Sequence, residues 1–212
     1  SGPNPRARCP QSIHKPQDSV RPNPGVSETR VDLHVKILDE QVTERAKARG
    51  IDVLVYAPHF TRFPAAARRA ERFTDDELLV VPAREIFTGS WQNRKHVLAL
   101  GLEDPIPDFI TLEAAMDELE RQNAVVLAPH PEFLTVSLER PDLDRYESQI
   151  EAIEVYNPKH RSSHNRRALE VAREVDAGVF GSSYAHLHST IGDVWTTFET
   201  SVDSERDLLD AL

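Results

Sequence analysis

Six side chains able to ligate a metal fall within, at the edge of, or just after six separate strand-like runs: His34, His59, Glu85, His96, His130 and His186. Imidazole nitrogens and carboxylate oxygens together suit Zn, Mn or Fe. A single His at a strand end is more often a hydrogen-bonded structural residue than a ligand. Five such histidines and one Glu at comparable places form a pattern. In a parallel α/β barrel the strand ends converge on one rim, so residues distant in sequence can meet around an ion there.

Flanking residues support this layout. The tripeptide Ala-Pro-His occurs twice after an apolar run, at Ala57-Pro58-His59 and Ala128-Pro129-His130. Proline fixes φ and stops a strand, which lets the next side chain turn over the rim. Arg84 should face away from Glu85 if the strand continues through both, and is read as a surface charge or an ion-pair partner. His160, Arg161 and His164 precede or open a helix, where an anion could bind, although a solvated basic loop is the blander reading. Cys9 lies in a polar tail and is a poor nucleophile. Gly181-Ser182-Ser183 lacks the Gly-x-Ser-x-Gly pattern of a nucleophile elbow.

The elements that must carry these residues alternate. Asp39 caps a helix ending near Gly50, and Pro64 to Arg72 and Thr111 to Gln122 read as two more. Apolar runs at 52–57, 78–82, 96–100, 124–128, 152–156, 179–182 and 194–198 read as strands. A helix from Ser162 or Ser163 and a short final one capped by Asp203 or Ser204 complete the series. Such alternation predicts parallel α/β architecture, closed barrel or open sheet. No Gly-rich phosphate loop follows the first strand, which counts against a nucleotide-binding doubly wound fold. Residues 1–29, with six prolines and no apolar period, read as a disordered tail before one domain at 30–212.

Composition narrows the partners. The net charge is −10, and only five of the 25 basic residues are Lys. An acidic chain is poorly suited to broad binding of nucleic acid or anionic lipid. With one cysteine there is no intrachain disulfide, no apolar run approaches the ~18 residues of a membrane helix, and no signal-like segment opens the chain. These features predict a cytoplasmic protein without a membrane partner.

From Val31 onward the chain resembles the PHP (polymerase and histidinol phosphatase) metal-dependent phosphoesterases. Val31-Asp32-Leu33-His34-Val35 resembles their opening Asp-Leu-His-x-His strand, and Ala46 to His59 their second motif. Pro82-Ala83-Arg84-Glu85 resembles Pro-Gly-x-Glu, followed eleven residues later by His96. Ala128-Pro129-His130-Pro131, Ile153-Glu154-Val155-Tyr156-Asn157 and Gly181-Ser182-Ser183-Tyr184-Ala185-His186 resemble the remaining motifs. The resemblance implies a distorted seven-stranded (β/α) barrel with metals at its C-terminal rim. It implies one metal at Glu85, His96 and His130, a second at His34 bridged by Glu85, and a third at His59 and His186.

The chain departs from that pattern twice. Lys36 replaces the second His of the opening motif, and Ser183-Tyr184 replaces an Asp. A protonated Lys ligates no metal, so one or two divalent ions (Zn, Mn or Fe) are expected. The expected function is hydrolysis of a phosphate ester by metal-activated water, with Lys36 and Arg161 binding the anionic group. The substrate would be a nucleotide, a short nucleic acid or a small phosphorylated metabolite. The alternative is a degenerate module that binds metal or a phosphorylated ligand without turnover, and a metal-dependent amidohydrolase ranks last.

Overall fold

The computed structural model describes residues 11–15, 27–133 and 136–212. Its strands are β1 (Gln11–His14), β2 (Thr29–Val35), β3 (Val53–Tyr56), β4 (Leu79–Ser90), β5 (Asn93–Leu100), β6 (Val125–Ala128), β7 (Ile150–Tyr156), β8 (Gly178–Gly181) and β9 (Trp195–Phe198). The helices are α1 (Glu40–Ala48), α2 (Phe63–Phe73), α3 (Leu112–Arg121), α4 (Arg140–Arg145), α5 (Ser162–Glu174) and α6 (Glu205–Ala211). The strands form one sheet in the order β1-β9-β2-β3-β4-β5-β6-β7-β8. It curls into a nearly closed barrel. At the seam the Thr196 hydroxyl bonds the backbone N–H and C=O of Gly181, and Val35 makes an isolated parallel bridge to Ala185.

The sequence signals for the helices act as expected. The Asp39 side chain accepts from the Val42 N–H, and the Thr111 side chain from the Ala114 N–H. Gly50 ends α1 at φ 69°, a conformation that costs glycine little. Val31, Leu33, Val53, Val55, Val81, Ala83, Leu98, Leu100, Leu127, Ala152 and Phe180 fill the barrel interior. Two further apolar clusters lie between the sheet and its helices. Strands covered on both faces must be apolar on both, which explains their continuous hydrophobic runs.

Three expectations are corrected. First, Gln11–His14 is not disordered: it pairs antiparallel with β9. Ile13 packs against Gly181 and stacking links His14 to Trp195, with ring centroids 6.1 Å apart. One apolar side chain and an unpaired sheet edge suffice to order four residues that have no amphipathic period of their own. Thr29, expected in the tail, already belongs to β2, and residues 1–10 and 16–26, Cys9 included, lie outside the described residues. Second, β4 does not stop near residue 82 but runs to Ser90 and turns back as β5, an antiparallel hairpin rather than a parallel unit. Third, the sheet has nine strands rather than seven, counting β1 and the antiparallel β9. A short helix, α4, also escaped sequence reading, because six residues are too few to show a period.

Candidate metal site

Alternation along each strand decides which side chains enter the rim. In β4, Val81 and Ala83 face the interior, so Glu85 does too. In β5, Leu98 and Leu100 face inward and His96 shares their parity. Because β5 runs antiparallel to β4, its beginning lies at the same rim where the parallel strands end. In β7 the inward Ala152 fixes the direction of Glu154, and in β8 the inward Phe180 that of Ser182.

β2 needs an irregularity. Its pairing with β3 shifts register between Asp32 and Val35. Leu33 lies in the interior cluster whereas Val35 lies in an outer one. The extra residue therefore turns His34 and Lys36 inward, a common role of a bulge beside a site. His130 follows Pro129 at φ 35°, a left-handed conformation that a bulky residue holds only when its surroundings enforce it. Its N–H donates to Glu154 Oε2 at 2.9 Å, which locks the turn.

Glu85 is the hub. Its Oε1 lies 3.1 Å from His130 Nε2, 3.3 Å from His96 Nδ1 and 3.4 Å from His34 Nε2. Its Oε2 lies 2.6 Å from His59 Nε2 and 2.7 Å from Lys36 Nζ. Burial pushes the Glu85 carboxyl up, but the Lys36 ammonium and the nearby imidazoles of His130, His34 and His59 hold it well below the usual carboxylate range. Burial lowers Lys36, with Glu85 opposing that shift. Glu154 is a second anionic centre. Burial acts to raise it, while His34, His130 and Ser182 bring it down to about 2. Its Oε1 lies 3.5 Å from His34 Nδ1 and accepts from the Ser182 hydroxyl at 2.5 Å.

The six expected ligands do not behave alike. Among the described residues, Glu85, His96 and His130 form the one group whose ligand atoms all lie within 4.8 Å of one another. All three are buried. Among the described residues, neither His96 nitrogen meets hydrogen-bond geometry with a partner, nor does either His34 nitrogen. Buried polar atoms without partners are costly, and a cation among these donors would satisfy them. The donor set therefore fits a divalent metal. His34 sits between two carboxylates at the same rim. His59 is half-buried and bonded to Glu85, its ring centroid 5.4 Å from that of His186. His186 Nδ1 is 2.8 Å from Lys159 Nζ and 3.0 Å from the Tyr184 carbonyl oxygen. Burial lowers His186 to about 4.

Lys36 is only 7% exposed and donates to Ala57 O at 2.8 Å as well as to Glu85. Lys36 therefore points into the rim rather than to solvent. Arg161 is exposed at the start of α5. Arg84 is a buried partner of Asp108 at 2.8 Å, not a surface charge. Sequence reading gave no role to Lys159, Tyr184 or the Asn157 side chain. The Tyr184 ring packs 4.8 Å from that of His34 and 4.6 Å from that of His186, and burial raises its hydroxyl. Their signal was present only as positions inside or beside the quoted motifs.

The comparisons agree with this architecture. Residues 162–212 match the PHP-associated family model. A stretch of 138 residues, 60% of the chain, is 29% identical to the uncharacterized protein MJ0417 of Methanocaldococcus jannaschii, and spans 55% of that protein. PsfC from Pseudomonas syringae superposes with a TM-score of 0.67 at 20% identity, over 86% of this chain and 88% of PsfC. A candidate metal-dependent phosphoesterase from Bifidobacterium adolescentis superposes with a TM-score of 0.56 at 14% identity, over 74% of this chain and 88% of the other. No helix among the described residues is long and apolar enough to cross a membrane. The chain thus shares its barrel fold with these two structures, and its last 51 residues match the PHP-associated model.

Proposed function

We propose that this domain hydrolyses a phosphate ester at a rim holding one divalent metal on Glu85, His96 and His130. The observation that carries the reading is the buried three-residue cluster in which neither His96 nitrogen makes a hydrogen bond to another described residue. A divalent ion bound there would polarise the phosphoryl group and acidify a water. Three protein ligands with an open position are the usual catalytic arrangement.

The chain's own groups supply the rest. Glu85 stays ionised and keeps both oxygens engaged. Glu154 fixes His130 through its backbone and faces the His34 ring, so the ligating His130 and the neighbouring His34 keep their orientation. Lys36 places a positive charge on Glu85 Oε2, on the side where the family resemblance implies a second ion. Among the described residues two of its three donors are used, which leaves one to meet an anionic oxygen. Lys159, close to His186, and the exposed Arg161 add positive charge at the same end of the barrel. A small phosphorylated substrate is the partner this arrangement favours, with a short nucleic acid as the larger possibility.

The Lys36 ammonium also favours a second reading, a module that binds metal or phosphate without turnover. One experiment separates the two. Metal-free protein is titrated with Mn²⁺ or Zn²⁺, and hydrolysis of p-nitrophenyl phosphate is followed. Metal-dependent turnover lost in His96→Ala supports the hydrolase. Tight metal binding with no turnover supports the binding module.

A further inference from the structure

Beside the rim lies an uncommon surface feature. Phe60, Trp91 and Phe109 are 55%, 56% and 43% exposed. They come from three separate segments and gather into one patch. Phe60 and Phe109 lie within 20° of parallel at 6.2 Å, Phe60 and Trp91 within 28° at 6.5 Å, and Trp91 and Phe109 at 6.0 Å. A contiguous aromatic patch on a charged, acidic domain marks a binding surface more often than idle packing.

The patch is built rather than incidental. Phe60 and Phe109 hold φ values of 51° and 65°, which are strained for bulky side chains. Asp108 secures the segment that carries Phe109: it accepts from the Phe87 N–H at 3.0 Å and from buried Arg84 at 2.8 Å. The Phe109 N–H donates to Phe87 O and the Gly89 N–H to Ile110 O. Arg94 covers one face of Trp91 at 4.5 Å and donates to its carbonyl oxygen at 2.6 Å.

The patch is continuous with the metal site. Phe87 stacks on the ring of His96 at 3.9 Å and 5°, and Phe60 meets Phe87 edge-on at 4.9 Å. Phe60 also follows His59 directly in the chain. A molecule with its phosphate on Glu85, His96 and His130 would therefore extend its other end over these rings. Flat, exposed π-faces recognise another flat ring by stacking, with little regard to its hydrogen-bonding edge. The net charge of −10 opposes a long polyanion.

We propose that Phe60, Trp91 and Phe109 form a stacking platform for the base of a small nucleotide, which rests on the phosphoesterase reading and narrows its substrate to aromatic esters. The platform itself can be tested without chemistry. Adenosine, which has no phosphate, is titrated into the full chain while tryptophan fluorescence is recorded. Trp195 is buried and Trp91 exposed, so saturable quenching reports the platform. Phe60→Asn and Phe109→Asn suit the left-handed backbone and should each weaken adenosine binding about five- to 150-fold. With Mn²⁺, the preference in kcat/KM for adenosine 5′-monophosphate over glycerol 2-phosphate should fall by a similar factor.

Absence of saturable quenching, or equal affinity in both variants with native far-UV CD, overturns the platform even if glycerol 2-phosphate is hydrolysed. Adenosine binding that depends on Phe60 and Phe109 without any hydrolysis sustains the platform and removes the phosphoesterase reading. Sedimentation supplies one more outcome: variants that convert a dimer to a monomer would make the patch a protein interface and end the proposal.

Discussion

Lys36→Met isolates the charge balance at the rim. The substitution keeps the length of the side chain and removes the cation from Glu85 Oε2. The Lys36 and Glu85 side chains are 4% and 0% exposed, so solvent screening is slight. Removing one partner of a buried pair costs about 3–5 kcal/mol, because the remaining charge is left without compensation. For a chain of this size each kcal/mol lowers Tm by about 2–4 °C, so a fall of about 6–20 °C is expected in EDTA. A divalent ion returns positive charge to Glu85, so saturating Mn²⁺ should raise Tm more in the variant than in the wild type. Thermal unfolding followed by CD, with EDTA and with Mn²⁺, gives both numbers. A fall of less than about 2 °C in EDTA, or equal metal increments in the two proteins, would refute the idea that Lys36 substitutes for a cation.

Other consequences can be measured independently. His96→Ala and His130→Asn should each lower bound metal, read by elemental analysis, together with any hydrolysis while far-UV CD stays nearly native; unchanged metal content in both would misplace the site. Burial lowers His160 from 6.5 to about 4, so the unfolded chain takes up its proton first as pH falls. The stability gained from the neutral ring is full above about pH 6.5 and lost by about pH 4. After discounting for partial exposure this amounts to about 1–2 kcal/mol, and urea melts of His160→Gln should show that much less acid sensitivity than wild type. Gly181→Ala would drive a methyl into Ile13, with Val194 Cγ1 at 3.1 Å, and should destabilise by about 1–3 kcal/mol. Combining it with Ile13→Ala should recover part of that loss, and strict additivity would show that β1 does not rest on β8.

The sequence alone determined the candidate ligand types, their order and their association with strands. His34, His59, Glu85, His96, His130 and His186 were legible as candidates, because each lies in, at the edge of or just after a strand-like run, which is a local signal. Helix starts at Asp39 and Thr111 were legible for the same reason: a cap is written within four residues. Tertiary structure decided what no local pattern encodes. The bulge in β2 turned His34 and Lys36 inward, and its register depends on pairing with β3. The antiparallel return of β5 brought His96, near the start of its strand, to the rim where the parallel strands end. Edge pairing ordered Gln11–His14, whose partner lies near residue 196. The aromatic patch joins residues 60, 91 and 109, held by a carboxylate at 108 whose partners lie in β4. In each case the deciding contact spans many residues, so its energy appears only once the chain has closed on itself.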